Sequence, residues 1–304
     1  MRERTLQDAG VAALRLIRNA EIFAPESLGR GDVLIAHGRI VAVGCDLAPS
    51  GCGVDVDVID AEDDVLIPGL VDSLVHIGGG GGEGGFATRM PPLAAQDALA
   101  AGVTTLIGAL GTDDVTRSHA DLLACVRALA ASGLSAYALT GSYRVPPVTL
   151  TGSVRGDLAL IPDIIGVGEI AIADHRGSQP SAAELARIAS DARVGGMLAG
   201  KAGTVLIHCG DAPDGLALLR EASSRWPVPI AQWHPTHVNR NAALFADGLA
   251  FVREGGSIDF TTSSTPDFVH AGEIPAARAL AEALAAGVPV TRITLSSDGQ
   301  ASLP

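Results

Sequence analysis

Apolar, strand-like runs alternate with helix-like runs from residue 70 to residue 299, and this alternation favours a parallel α/β architecture. Several of the strand-like runs are almost continuously apolar, as expected for strands buried on both faces. The strand candidates are 70–76, 104–112, 135–143, 164–174, 204–210, 229–239, 256–264 and 292–299. Eight strand–helix steps over about 235 residues match the usual ~250-residue extent of a closed (β/α)8 barrel of the TIM type.

Polar residues gather at the C-terminal ends of nearly all these strand candidates. They are His76, Thr112, Tyr143, Glu169, Arg176, His208, His237 and Asp298. The C-terminal ends of a parallel barrel meet at one rim, where the active sites of such barrels lie. The gathering therefore favours a barrel over a doubly wound open sheet, which is the competing interpretation.

Residues 14–67 have a different character, with short strands broken by turns. The strand candidates are 14–18, 32–36, 39–43 and 54–59. His37 and Gly38 form a plausible hairpin turn between the second and third. Pro68 and Gly69 then mark a change of pattern. We predict a small β module over residues 1–67, followed by a barrel over residues 68–304.

Composition limits the possible partners and location. The formal charge is −13, from 34 acidic and 21 basic residues, which argues against nucleic acid and anionic membrane surfaces as partners. No stretch approaches the ~20 clean apolar residues of a membrane span, and the N-terminus lacks a signal-peptide core. The four cysteines show no CxxC spacing, which is typical of reduced thiols in a cytoplasmic protein: Cys45, Cys52, Cys125 and Cys209.

The rim candidates include metal-ligand side chains from five different strands: His76, Glu169, His208, His237 and Asp298. Imidazole and carboxylate together suit Zn²⁺ or a similar divalent ion. Two such ions can share a hydroxide and one bridging carboxylate, which produces a nucleophile at neutral pH. A nearby aspartate can accept the hydroxide's proton and pass it to a leaving amine. The sequence thus predicts metal-assisted hydrolysis at this rim.

The remaining histidines are interpreted differently. Three lie outside the rim pattern and are expected at the surface or in loops: His37, His119 and His270. His175 and His234 are ambiguous from sequence. Cys209, beside His208, admits a role as a nucleophile, although a small residue filling a strand end explains it equally well.

Several motifs together resemble one family. Those shared with the amidohydrolase superfamily are, in order, Pro68-Gly-Leu-Val-Asp-Ser-Leu-Val-His-Ile, Asp174-His-Arg, His208-Cys-Gly-Asp, Pro235-Thr-His-Val-Asn-Arg and Leu295-Ser-Ser-Asp-Gly. The glycine run 78–82 followed by Glu83, with Leu110-Gly-Thr-Asp and Leu139-Thr-Gly-Ser-Tyr, narrows the resemblance to bacterial isoaspartyl (β-aspartyl) dipeptidases. The resemblance covers the chain from about residue 14 to Pro304.

The resemblance implies a metallohydrolase with a barrel, a small N-terminal β-sandwich module and two zinc ions. It implies that a metal-bound hydroxide attacks the isopeptide carbonyl of a small dipeptide, in a homo-oligomer. The implied metal ligands are His208 and His237 for one ion, His76 for the other, Glu169 as the bridge and Asp298 as the proton shuttle. Tyr143 is implied to polarise the carbonyl, Glu83 to bind the substrate α-amino group, and four residues to hold the α-carboxylate: Thr112, Arg176, Arg240 and Ser302.

The chain departs from the family pattern at three places. Glu169 occupies a position that is a carboxylated lysine in some relatives, and Lys201 lies before the strand ending at His208, too far from the rim to replace it. Leu74 stands where the first histidine of an HxH motif is expected, so the ion at His76 should be weakly held. The chain ends at Pro304, which suggests a barrel truncated after its eighth strand and lacking its last helix.

Two alternatives to the dipeptidase interpretation stay open. One is an amidohydrolase acting on another amide or a cyclic imide. The other is an inactive pseudoenzyme or fragment, since Leu74 replaces a metal-ligand histidine.

Overall fold

The computed structural model describes residues 14–49, 53 and 55–301. The chain separates into two compact units, Met1–Gly69 and Leu70–Pro304. No helix in the described ranges combines the length and apolarity that a bilayer crossing requires.

The first unit is a five-stranded sheet of β1 (Leu14–Phe23), β2 (Ser27–Ala36), β3 (Arg39–Gly44), β4 (Val56–Asp60) and β5 (Val65–Leu66). Strands β1, β2 and β3 pair antiparallel, while β4 and β5 run parallel to β1. His37 and Gly38 both have positive φ, 47° and 73°, and form the turn between β2 and β3. Strand β1 extends to Phe23, beyond its predicted end at residue 18. A bulge between Ile17 and Ala20 interrupts the side-chain alternation, so the sequence pattern does not reveal the second half of the strand.

The second unit alternates strands with helices. Its strands are β6 (Leu70–Val75), β7 (Val103–Gly108), β8 (Ser135–Thr140), β9 (Ile164–Ile172), β10 (Thr204–Cys209), β11 (Trp233–Thr236), β12 (Ile258–Thr261) and β13 (Ile293–Ser296). Its α-helices are α1 (Ala95–Ala100), α2 (His119–Ala131), α3 (Val154–Leu160), α4 (Ala182–Ala199), α5 (Ala217–Arg225), α6 (Ala242–Arg253), α7 (Pro266–His270) and α8 (Ala276–Ala285). The predicted parallel α/β architecture is confirmed.

The strands follow one another in chain order. Strands β6 to β11 form one parallel sheet, and β12 and β13 pair in parallel beside it. The Val238 amide donates to the Asp259 carbonyl at 3.2 Å, and the Asp298 amide donates to the Leu74 carbonyl at 3.0 Å. These bonds join the pair β12–β13 to both edges of the larger sheet. A doubly wound sheet reverses its strand order at a switch point, and the described strands do not.

A buried carboxylate ties four of these strands together. Asp259 on β12 is fully buried and accepts hydrogen bonds from four hydroxyl groups. Ser73 of β6 and Thr236 of β11 donate to it at 2.8 Å each. Thr294 and Ser296 of β13 donate at 2.5 Å each. Charge-assisted hydrogen bonds of this kind are roughly twice as strong as neutral ones, so Asp259 fixes the register of β6, β11 and β13 around β12.

The only lysine of the chain, Lys201, forms hydrogen bonds with backbone carbonyl groups. Its ammonium group donates to the carbonyl oxygens of Leu158, Ile161 and Ile164, each at 2.7 Å. Two of these carbonyls belong to the end of α3 and the residue that caps it, where a cation also favours the helix dipole.

Replacing this lysine should therefore affect stability and leave the chemistry unchanged. We expect Lys201→Met to lower the free energy of unfolding by about 2–4 kcal/mol, because three carbonyls lose a charged donor. Urea unfolding would measure the change, with Arg187→Met on the exposed face of α4 as a control. A Lys201→Met protein of unchanged stability would contradict this role.

Candidate metal centre and substrate pocket

Five predicted metal ligands lie together at the C-terminal ends of the strands. Glu169 and His208 lie within β9 and β10, while His76 and His237 directly follow β6 and β11. Asp298 comes two residues after β13. The side chains of the first four residues, the three histidines and Glu169, are almost completely buried, whereas the side chain of Asp298 is 21% exposed. The structure thus brings together the side chains that the strand-end pattern selected.

The five residues form two sets of three that share Glu169. In one set, Glu169 Oε2 lies 3.3 Å from His208 Nδ1 and 3.7 Å from His237 Nε2. In the other, His76 Nε2 lies 3.6 Å from Glu169 Oε1 and 3.1 Å from Asp298 Oδ1. The candidate ligand atoms of each set lie within 4.8 Å of one another.

Several atoms of these sets lack hydrogen-bond partners. Among the described residues, His76 Nδ1, Glu169 Oε1 and both ring nitrogens of His237 are buried without one. Buried polar atoms are normally satisfied, so such a group of unsatisfied atoms indicates an absent partner. Imidazole nitrogens and carboxylate oxygens are the ligands that zinc prefers. The residues therefore fit a divalent metal ion.

The electrostatics of the cluster also favour a cation. Burial lowers the pKa of His76, but the hydrogen bond and charge of Asp298 and the charge of Glu169 raise it to about 9. Burial opposes ionisation of Glu169, yet the close imidazoles of His208 and His237 hold its pKa well below the usual value. The pKa of His237 is lowered, chiefly by burial. Glu169 is therefore an anion at neutral pH, and its buried negative charge favours a bound cation.

Leu74 lies on β6, two residues before His76, and adds no ligand to the cluster. Its side chain is fully buried and packs with Ala109, Leu139 and Leu206. A polar side chain at this position would meet an apolar layer. The His76 set is thus left with two carboxylates and one imidazole.

Asp174 connects the metal cluster to a second polar group. Its Oδ2 lies 2.9 Å from His208 Nε2 and accepts from Arg176 Nη2 at 2.7 Å. Burial would raise the pKa of Asp174, but the hydrogen bonds from Arg176 and His208 hold it far below its usual range. The motif that contains Asp174 was recognised, but no role was predicted for this residue. Its position two residues beyond β9 was the available signal.

Glu83 and Arg176 form an ion pair in the same pocket. Arg176 Nη1 donates to Glu83 Oε2 at 2.8 Å, and the Thr112 hydroxyl donates to Glu83 Oε1 at 3.2 Å. The hydrogen bond to Asp174 raises the pKa of Arg176 further above its high ordinary value. Arg176 is thus a permanent cation.

Tyr143 is buried beside the cluster. Its hydroxyl oxygen lies 2.7 Å from His208 Nδ1, and its ring centroid lies 4.5 Å from that of His208. Burial raises the pKa of Tyr143 well above its ordinary value. The side chain therefore stays a neutral phenol and can donate a hydrogen bond.

One pocket with a volume of about 590 Å³ is lined by most of these residues, namely His76, Glu83, Thr112, Tyr143, Arg176, His208, His237 and Asp298. Arg240 also lines it, and within the described residues its side chain takes part in no ion pair. Ser302, the remaining predicted substrate residue, lies outside the described residues.

The other histidines and Cys209 have separate environments. The prediction that His119 lies at the surface or in a loop was wrong, because it is buried at the start of α2 and its Nε2 accepts from the Gly141 amide. His234 shares a hydrogen bond with Thr294, and His175 is exposed. Burial raises the pKa of Cys209 far above its usual range, which argues against a thiolate nucleophile.

Comparison with known proteins gives matches among solved structures, whereas no family model matches the chain. The β-aspartyl dipeptidase of Fervidobacterium islandicum AW-1 is 45% identical, with a TM-score of 0.88 over 95% of this chain and 77% of the other. A structure of the enzyme from the same organism in complex with a β-Asp-Leu dipeptide is 44% identical, covering 96% and 74% of the two chains, with a TM-score of 0.88. A D-hydantoinase shares 17% identity and a TM-score of 0.59 over 94% and 68%, a likeness of fold alone.

Proposed function

This chain belongs to the β-aspartyl dipeptidase family, and on that premise we propose that it hydrolyses β-aspartyl dipeptides with the help of bound zinc. One observation carries the proposal: an anion and a permanent cation, Glu83 and Arg176, are paired beside the cluster around Glu169. The cluster can hold the metal, and the ion pair is complementary to the free ammonium and carboxylate groups of the substrate's aspartyl residue.

The residues proposed to hold zinc are Glu169 with His208 and His237, and Glu169 with His76 and Asp298. Bound zinc would supply Lewis acidity, which activates water and polarises a carbonyl group. The set with two histidines is the one we expect to be filled more readily, because Leu74 removes an expected ligand from the other.

The ion pair would favour the β-linkage over the α-linkage. A β-linked aspartyl residue carries a free ammonium and a free carboxylate on one carbon atom. Glu83 accepts from an ammonium and Arg176 donates to a carboxylate, so the substrate would exchange partners with the pair. In an α-linked isomer that carboxylate is part of the peptide bond. Arg240, which has no ion pair among the described residues, is a second candidate partner for a substrate carboxylate.

Two further side chains are placed to assist the reaction. Asp298 is partly exposed at the pocket and could accept a proton from water and pass it to the leaving amine. Tyr143, a neutral phenol, could donate to the carbonyl oxygen as it gains negative charge.

Removing the Tyr143 hydroxyl should slow the chemical step. We expect Tyr143→Phe to lower kcat about 10²- to 10³-fold, as loss of one oxyanion donor does, with a small change in KM and unchanged zinc content. The only other tyrosine, Tyr137 on β8, provides a matched control as Tyr137→Phe. Steady-state kinetics measure kcat and KM, and elemental analysis measures the zinc content. A normal kcat in Tyr143→Phe would exclude this donor role.

The proposed function is tested by comparing β-Asp-Leu with α-Asp-Leu as substrates over a titration of zinc. Selective, zinc-dependent hydrolysis of the β-linked isomer is the expected result. Hydrolysis of hydantoin without hydrolysis of either dipeptide would favour another amidohydrolase activity. Folded, zinc-saturated protein that hydrolyses none of them would favour the pseudoenzyme.

We further propose that β6 to β13 close into one barrel, since hydrogen bonds join β12 and β13 to both edges of the larger sheet. The domain boundary at residue 67, the homo-oligomer and the cytoplasmic location stay predictions.

A further inference from the structure

The pocket has a second wall that the aspartyl end of the proposed substrate does not use. Glu83, Thr112 and Arg176 follow β6, β7 and β9, whereas this wall comes from the segment after β12. Its residues are Ser263, Phe268, Ala271 and Glu273. In chain order β12 is three strands from β9, and it is two strands from β6 across β13. Because Glu83, Thr112 and Arg176 hold the aspartyl end in the proposed function, the wall after β12 is a part of the pocket left for the leaving residue.

Glu273 on this wall has an unsatisfied carboxylate oxygen. Its Oε1 is buried and has no hydrogen-bond partner among the described residues. Arg240 lines the same pocket but does not pair with Glu273 within the described structure. Since Glu273 lines the pocket and its carboxylate is short of donors, a ligand that brings a cation close to this carboxylate gains a charge-assisted interaction.

The neighbouring surface suits a particular kind of side chain. Phe268 is half-buried in the pocket wall beside Ala271, and the two offer apolar surface. Lysine and arginine combine an apolar stem with a cationic end, and both can pack against an aromatic ring. A leucine side chain would fill the apolar part but leave Glu273 without a partner.

We propose that Glu273 makes this pocket selective for β-aspartyl dipeptides whose leaving residue is basic, an inference that rests on the proposed function. The cationic end of the leaving side chain pairs with Glu273, and its stem lies along Phe268. Glu273 is a specificity residue in this scheme and takes no part in bond cleavage.

The test compares β-Asp-Lys with β-Asp-norleucine, whose side chain is similar in length but uncharged. Dissociation constants are measured by calorimetry, and kcat/KM by product release, for the full chain and for Glu273→Gln. The control is Glu282→Gln, which removes an exposed carboxylate on α8 that pairs with Arg278. We expect the unaltered chain and the control to prefer the lysine dipeptide about tenfold. In Glu273→Gln the preference should disappear, with values for the norleucine dipeptide unchanged.

The two proposals fail in different ways. If neither dipeptide is hydrolysed but the lysine dipeptide binds more tightly in a Glu273-dependent manner, the proposed function is wrong and the specificity holds. Equal binding of the two dipeptides would overturn the specificity proposal, as would a preference that survives Glu273→Gln. A uniform loss for both dipeptides in Glu273→Gln would also overturn it, because a merely structural role predicts that outcome.

Discussion

Leu74→His should raise the zinc content from about one to about two ions per chain and increase kcat/KM at least about tenfold. Leu74 precedes His76 by two residues, so the new imidazole would lie on the same face of β6. The ring would add a nitrogen ligand to a set that now has His76 and two carboxylates. Elemental analysis after dialysis and steady-state kinetics measure the two effects.

The apolar surroundings of Leu74 provide an independent measure. Without metal, an imidazole among Ala109, Leu139 and Leu206 should cost about 1–3 kcal/mol, because it lacks a hydrogen-bond partner. Zinc should recover that loss, so the melting temperature of Leu74→His should depend on zinc more steeply than that of the unaltered chain.

The matched control is Leu74→Gln, which is polar and of similar size but lacks the ring nitrogen. It should be destabilised without gaining zinc. Unchanged zinc content in a folded Leu74→His protein would show that the missing histidine does not limit metal binding.

Glu169→Gln should abolish stoichiometric zinc binding and lower kcat/KM by more than the ~10–100-fold typical of a lost outer-shell partner. Glu169 belongs to both sets of candidate ligands and lies within 4 Å of three imidazoles. Its substitution removes the only fully buried negative charge that the two sets share. Zinc held by either set should therefore be lost.

Glu169→Asp keeps the charge but shortens the side chain, so it should retain part of the zinc and part of the activity. Circular dichroism would show whether each variant folds. Full zinc content together with normal kinetics in Glu169→Gln would rule out the shared role.

The structural features that could be predicted from the sequence are those with a regular pattern of apolar and polar residues. Buried parallel strands are apolar on both faces, and a polar residue at the end of such a strand stands out. His76, His208 and His237 were identifiable for that reason, and the structure brings them together with Glu169 and Asp298.

The remaining features depend on contacts between residues distant in sequence. Asp259 lies within a strand, and only the folded sheet brings Ser73 and Thr294 to it from far along the chain. His119 begins helix α2, a position that does not by itself indicate burial. It is buried in the folded chain, where its ring accepts a hydrogen bond from the distant Gly141 amide. Glu273 belongs to no motif, and its relevance depends on the pocket that it lines.

The hydroxyl groups around Asp259 also have an evolutionary consequence. Each is held by the same carboxylate, so an apolar replacement at Ser73, Thr236, Thr294 or Ser296 removes a donor from a charge that cannot reach water. The cost of a second replacement then depends on the first, because the same charge has fewer donors left. Substitutions at these positions are therefore coupled across strands that are distant in sequence. We expect loss of the carboxylate to be tolerated only when its donors change with it, because the buried hydroxyl groups would otherwise lose their acceptor.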